Sequence, residues 1–110
     1  MNVYDEAHDL ARAIRQSEAF VRVKTVQKKL EQDEKAWEMV ADFKQKQFEL
    51  QQAALMGMEI PEDKANTVNN LMSVLSHNPL IAEYFEAESS FIQMIADIQD
   101  ILQKAMEADV

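Results

Sequence analysis

The residues of this chain that could take part in metal chemistry are few. The sequence has two histidines, His8 and His77, and Asp5 lies three positions before His8. This Asp-x-x-His spacing puts two ligands on one face of a helix, but a dinuclear centre in a helical bundle needs such a spacing twice, together with several inward carboxylates. The spacing occurs once, and His77 has no acid three positions before it. We therefore expect no metal centre and no bound cofactor.

Nucleophilic chemistry is equally hard to place. The chain has no cysteine, which excludes a thiolate nucleophile, a disulfide framework and a thiolate-bound zinc or iron–sulfur centre. The sequence also shows no recognisable pairing of a nucleophile with a base and no cluster of ligands. We predict that the protein is not an enzyme and has no catalytic residue.

A basic stretch near the amino terminus is the clearest charged feature. Residues 12–29 contain one acid, Glu18, and six cations, which are Arg12, Arg15, Arg22, Lys24, Lys28 and Lys29. The last four cations are a candidate patch for nucleic acid or for an acidic protein. Alternatively, these long side chains cover a helix face and meet residues 57–110, which have two lysines against ten acids. We favour the second interpretation, because a chain with a formal charge of -9 repels a phosphate backbone.

Helices must position these residues, because the chain has few of the glycine and proline residues that form turns. The 110 residues are 47% hydrophobic and 28% charged, with one glycine and two prolines, which favours long helices over a turn-rich β fold. Apolar residues recur every three or four positions in five stretches, which predict helices over roughly 3–16, 18–32, 34–56, 61–76 and about 30 residues from Pro79. A strand is the alternative for the second stretch, which is rich in β-branched residues, but it would lack a partner strand.

The ends of the predicted helices coincide with capping residues. Ser17 and Asp33 are suited to cap the second and third helices through their side chains. Asn78 followed by Pro79 is a similar start for the fifth helix. Gly57, the sole glycine, is expected at the carboxyl end of the third helix with a positive φ angle.

The fifth predicted helix has an apolar face too broad and too long for one chain to cover. In heptads that begin at Ile81, hydrophobic residues dominate four neighbouring columns, where a two-stranded coiled coil needs two. A helix of about 30 residues is about 45 Å long, against a diameter of about 35 Å for a compact globule of this chain length. We therefore predict a homo-oligomer, in its simplest form an intertwined two-fold dimer. The residues predicted to form the core or the oligomer interface are Tyr84, Phe91, Ile95, Ile98 and Leu102.

Glu88 is the one charged residue in the two central columns of these heptads. An isolated buried carboxylate is costly, so Glu88 should be paired or hydrogen-bonded. We predict a structural ion pair between Glu88 and either Arg12 or Arg15. The alternative is a carboxylate ligand in a metal site of the bundle core, which the lack of suitably spaced histidines disfavours.

Three segments of the sequence carry a resemblance to a known family. They are YDEAHDLARAIRQSEAF near the start, GMEIPED at the central joint and NPLIAEYFEAESSFIQMIADIQDIL in the last helix. The last segment is the most specific, with Asn78 and Pro79 followed by Tyr84, Glu88 and Phe91. On these segments the chain resembles the YlbF/YmcA-type helical family, specifically its YheA-like branch, over essentially its whole length.

This resemblance implies an all-α, bundle-like subunit that forms intertwined dimers or higher oligomers in the bacterial cytoplasm. The better-studied relatives act without catalysis, as protein partners that affect competence, sporulation and biofilm programmes, and they form a complex that modulates an RNA-degrading enzyme. Those relatives are also associated with iron–sulfur clusters held by cysteine. Because this chain has no cysteine, we transfer no redox role to it.

The sequence thus predicts a single all-helical domain spanning residues 1–110, built as an elongated bundle of about five helices. Its predicted function is that of a non-catalytic, oligomeric regulatory or adaptor protein of the cytoplasm, whose partners are a second copy and other proteins. The alternative is a weak RNA-binding module, or an accessory factor of RNA processing, that uses residues 12–29. No membrane association is expected, because the amino terminus lacks the regions of a signal peptide and no stretch reaches about 20 apolar residues.

Overall fold

Five α-helices form the structure, a computed structural model that describes residues 2–107. They are α1 (Val3–Gln16), α2 (Glu18–Glu31), α3 (Glu34–Leu55), α4 (Glu62–Leu75) and α5 (Pro79–Glu107). No strand occurs among the described residues. The predicted all-α fold with a long carboxyl-terminal helix is therefore confirmed, and the strand considered for part of α2 is excluded. Within the same residues, no helix is both long enough and apolar enough to cross a membrane.

Side-chain caps start the helices at the positions that the sequence indicates. The Ser17 hydroxyl accepts a hydrogen bond from the backbone N–H three residues later at 3.2 Å, and the Asp33 carboxylate does the same at 3.1 Å. The side-chain oxygen of Asn78 accepts from the Leu80 N–H at 3.0 Å. Each bond pairs an N–H that has no partner within its own helix, and a cap of this kind contributes about 1 kcal/mol. These three predicted caps are confirmed.

Gly57 ends α3 with a positive φ angle of 72°. The N–H of Gly57 donates to the Ala54 carbonyl at 3.1 Å, and the N–H of Met58 donates to the Ala53 carbonyl at 2.9 Å. This pair of bonds is the Schellman arrangement, which requires a left-handed residue after the helix. A Cβ at position 57 would meet no atom within 4 Å. The glycine is therefore required by its backbone conformation, as predicted, and not by lack of space.

Backbone contacts group the chain into two compact units. The central unit is Lys28–Glu83 and contains the last turn of α2, all of α3 and α4, and the first residues of α5. The terminal unit combines the chain up to Gln27 with the chain from Tyr84 onward, so it contains α1, most of α2 and most of α5. The single domain over residues 1–110 stays a prediction.

Every helix of the central unit contributes to its core. Leu30 of α2, Val40 of α3, Leu75 of α4 and Ile81 of α5 are each at most 2% exposed. α3 and α4 pack against each other. Burial of four side chains of this size is a main source of stability, since each contributes about 1.5–3 kcal/mol relative to an exposed position.

The terminal unit buries fewer residues, which are Val23, Val26, Tyr84 and Ala87. Its α2 and α5 are joined by the rings of Phe20 and Phe91, whose centroids lie 5.7 Å apart with the planes tilted by 59°. Tilted aromatic pairs at this distance are favourable. By contrast, α1 has no buried residue, so α2 and α5 hold the core of this unit.

Leu30→Ala should lower the free energy of unfolding by about 2–5 kcal/mol, because truncating a fully buried leucine removes apolar contacts and leaves a cavity. Leu55→Ala is the matched control, since Leu55 belongs to the same unit but is 83% exposed. For the control we expect a change within about 0.5 kcal/mol. Urea unfolding followed by circular dichroism at equal protein concentration measures both. Equal losses at the two positions would contradict this assignment of the core.

Candidate functional site

Both histidines are exposed in the structure. His8 lies on α1, one turn after Asp5. The Nδ1 atom of His77 lies 2.8 Å from the carbonyl oxygen of Ser73, where it provides a partner at a helix end whose last carbonyls have none within the helix. Within residues 2–107, no three histidine or acidic side chains come close enough together to hold a metal ion. The position of His77 thus indicates a capping role.

Two arginines of the basic stretch are engaged with acids of the same unit. The Arg12 guanidinium bonds to the carboxylate of Asp9, three residues earlier on α1. The Arg22 guanidinium lies 3.5 Å from a carboxylate oxygen of Glu86, which ties α2 to α5. Because these side chains remain partly in water, each pair contributes only about 0–1 kcal/mol. They place Arg12 and Arg22 beside acids of the same unit.

The other cations of α2 do not lie on one side of that helix. A helix turns by about 100° per residue, so Arg22 and Lys29, seven residues apart, share one side. Lys24 and Lys28, four residues apart, share another side. The shorter arc between the two pairs, about 130°, carries exposed Thr25, and buried Val26 lies on the longer arc. The four residues of the candidate basic patch therefore form two stripes on one helix, about 130° apart across its exposed side.

Glu88 accepts a hydrogen bond from the hydroxyl of Tyr84, with 2.8 Å between the oxygens. Tyr84 is 3% exposed and Glu88 is half-buried, so the bond pairs two polar groups that are largely withdrawn from water. The donor and acceptor are one helical turn apart, a spacing that is visible in the sequence. The ion pair of Glu88 with Arg12 or Arg15 stays a prediction.

α1 has an apolar stripe that the described chain does not bury. Val3, Ala7, Leu10 and Ile14 recur at helical spacing, yet Val3 is 83% exposed and the last two residues are only half-buried. Tyr4 is 78% exposed. An amphipathic helix of this length is marginal alone and depends on burial of its apolar side. A further contact that buries this apolar side would therefore stabilise α1.

Exposure increases along α5. Of the five residues predicted to form core or interface, Tyr84 is buried and Leu102 is exposed. The three between them are half-buried, and they are Phe91, Ile95 and Ile98. Every residue from 99 to 107, here called the α5 end, is exposed within the described chain. Ile101, Leu102 and Met106 are 66%, 52% and 78% exposed. The first part of the apolar face of α5 is therefore core. The α5 end is not covered by the described residues.

The comparison with sequence families gives one match that covers almost the whole chain. The family described as control of the competence regulator ComK, YlbF/YmcA, matches residues 3–107. A UPF0342 protein of Caldicellulosiruptor bescii is 42% identical over 106 residues, which span 96% of this chain and 89% of the relative. The UPF0342 protein YheA of Bacillus subtilis is 31% identical over 107 residues, which span 97% of this chain and 92% of YheA.

A solved structure has the same fold. It is a protein of unknown function (DUF964) from Bacillus stearothermophilus, which is 28% identical and superimposes with a TM-score of 0.83. The superposition covers 96% of this chain and 92% of the other. The five-helix arrangement is therefore shared with an experimentally determined relative.

Tyr84→Phe should lower the free energy of unfolding by about 1–3 kcal/mol, because it removes a donor to a half-buried carboxylate while leaving the ring in place. Tyr4→Phe, which removes a hydroxyl from a residue that is 78% exposed, should change it by less than about 0.5 kcal/mol. Thermal and urea unfolding of both variants measure the difference. Wild-type stability in Tyr84→Phe would show that this hydrogen bond does not support the fold.

Proposed function

The chain belongs to the YlbF/YmcA family, which is described as controlling the competence regulator ComK and which has the YheA-like proteins among its members. On this premise we propose that the protein is a non-catalytic, oligomeric regulatory or adaptor protein. It acts in the cytoplasm through contacts with other proteins. The single observation that carries the proposal is the exposure of apolar residues in the terminal unit, on the α1 stripe and at the α5 end.

The size of this surface supports a stable contact. Full burial of one large apolar side chain gains about 1.5–3 kcal/mol, and Val3, Ile101, Leu102 and Met106 are each more than half exposed. Because these four residues are already partly buried, covering their remaining exposed surface contributes about 4–8 kcal/mol per chain, which is comparable to the roughly 4–15 kcal/mol lost in freedom of motion on association. Half-buried Ile95 and Ile98 add to the gain.

A second copy is the proposed cover of this surface. In a two-fold dimer the same residues of both chains meet, so one apolar face is buried by its own counterpart. Two α5 ends also present small and large apolar residues in heptad columns, the pattern by which paired helices interlock. Tyr84 and Phe91 remain core residues of each chain in this arrangement, and Ile95, Ile98 and Leu102 lie at the seam.

RNA is not the partner that these observations favour. Arg12 and Arg22 are already engaged with acids, and the formal charge of the chain is -9. A nucleic-acid surface requires several cations on one side that are available for phosphates. The cations of α2 form two separate stripes, and Arg12 and Arg22 already meet acids, so we favour acids of the same protein as the partners of the basic stretch.

Leu102→Asp should convert the wild type from a species of twice the 12.6 kDa chain mass into a monomer, because a carboxylate at the seam would be buried without a partner. Leu102 is half exposed in the single chain, so the substitution should leave helicity unchanged. Gln103→Asp, on the next heptad column and also exposed, is the matched control and should remain dimeric. Sedimentation equilibrium measures the three masses.

A wild type that stays monomeric at all concentrations tested would contradict the proposed dimer, as would a dimer in Leu102→Asp.

The adaptor role predicts a stoichiometric protein partner in the native cell. The wild type, the Leu102→Asp variant and the Gln103→Asp variant should be affinity-purified in parallel, with bound proteins and bound RNA both quantified. We expect the same protein partner with the wild type and with Gln103→Asp, at a ratio near one partner per dimer. Recovery of the chain alone, or of RNA in place of protein, would contradict the adaptor role.

A further inference from the structure

The burial of α1 differs from that of a helix of the same length in the same chain. α1 has 14 residues, none of which is buried. α4 also has 14 residues, but it buries Leu75 and packs against α3. An isolated helix of about 14 residues is marginal in water, so each helix depends on the apolar contacts that it makes in the fold. α4 has a buried anchor, and α1 has none.

The packing of α1 is confined to its last two turns. Leu10, Ala11 and Ile14 are half-buried, and every residue of α1 before Leu10 is exposed. The ion pair between Arg12 and Asp9 lies within α1, so it does not tie this helix to another one. A few half-buried side chains therefore hold α1 in place, whereas fully buried residues hold the other four helices.

Ser17 is the single residue between α1 and α2. Its backbone is extended, with φ -66° and ψ 148°, so the two helices are separate elements and not one continuous helix. The Ser17 hydroxyl accepts a hydrogen bond from the Phe20 N–H at 3.2 Å and caps α2. The same hydroxyl donates to the Ile14 carbonyl at 2.6 Å, at a helix end where water can replace it. α2 therefore keeps its cap when α1 moves away.

We propose that α1 is an arm that opens at Ser17 while α2 to α5 stay folded, and that assembly with the second copy closes it. Opening loses the partial contacts of Leu10 and Ile14 and leaves the buried core intact. In the dimer the apolar stripe of α1 is covered, which adds the contacts that keep this helix folded. Formation of the dimer and closing of the arm are thus coupled. This inference rests on the proposed dimer and adds a conformational change to it.

Hydrogen–deuterium exchange of the full chain, read by mass spectrometry, measures the opening of the arm. Backbone amides 7–16 of α1 are compared with amides 66–75 of α4, which hold the same positions in a helix of equal length. In the monomeric Leu102→Asp variant, or in wild type diluted to the monomer, α1 should exchange about 100-fold or more faster than α4. In the wild-type dimer and in Gln103→Asp, exchange of α1 should be slower than in the monomer by about tenfold or more.

A glycine substitution separates opening of the arm from unfolding of the whole chain. Ala13 is exposed in α1, and glycine in a helix interior favours the open form by about fivefold relative to alanine. When Ala13→Gly is added to Leu102→Asp, exchange of α1 should rise by about that factor while exchange of α4 stays unchanged, because the arm opens alone. Asn70→Gly, at an exposed position of α4, is the reciprocal control and should leave exchange of α1 unchanged.

Three results would overturn the inference: equal exchange of α1 and α4 in the monomer, equal exchange of α1 in monomer and dimer, or an equal rise at α1 and α4 after Ala13→Gly. The failure of each proposal is distinguishable, because sedimentation detects the dimer and exchange detects the arm. A wild-type dimer that shows any of the three results removes this inference and leaves the dimer in place. A wild type that sediments as a monomer removes the proposed dimer, and with it the closing of the arm.

Discussion

Burial of apolar helix faces is the constraint on which this structure depends. The chain has no cysteine to form a disulfide, and helices of 14 residues such as α1 and α4 are marginal in isolation. In the central unit the helices cover one another, and Leu30, Val40 and Leu75 are almost fully withdrawn from water. In the terminal unit that cover is partial, because α1 has no buried residue and the α5 end is exposed. The need to bury apolar helix faces therefore explains both the core of the central unit and the apolar surface that the terminal unit leaves exposed.

The helices were predictable because the signals that start and stop them are local. Ser17, Asp33 and Gly57 each act within one turn of their own position, so a single sequence shows them. Contacts between helices were not predictable, since Arg22 meets Glu86 only when α2 packs on α5. The cavity that Leu50 and Val68 line likewise depends on the packing of α3 against α4. Heptad spacing showed that the Glu88 carboxylate, in the central columns, needs a partner, but it did not identify the hydrogen-bond donor. In the structure that donor is the hydroxyl of Tyr84, on the same helix.

The candidate functional features of the described residues are surfaces. No cluster of metal ligands occurs in residues 2–107, and two of the cations that could attract nucleic acid are engaged with acids. Two surfaces of different character are present. One is apolar and belongs to the terminal unit, where an identical surface is the natural complement. The other is a cavity with a largely apolar lining between α3 and α4 in the central unit.

The most direct test of the central claim, that a second copy covers the α5 end, is the mobility of spin labels attached to single cysteines. Because the natural chain has no cysteine, Leu102→Cys and Gln103→Cys each give one labelled position on the same helical turn. We predict that electron paramagnetic resonance shows an immobilised label at 102 and a mobile label at 103, and that dilution to the monomer frees the label at 102. Equal mobility at both positions, at every protein concentration, would contradict the account.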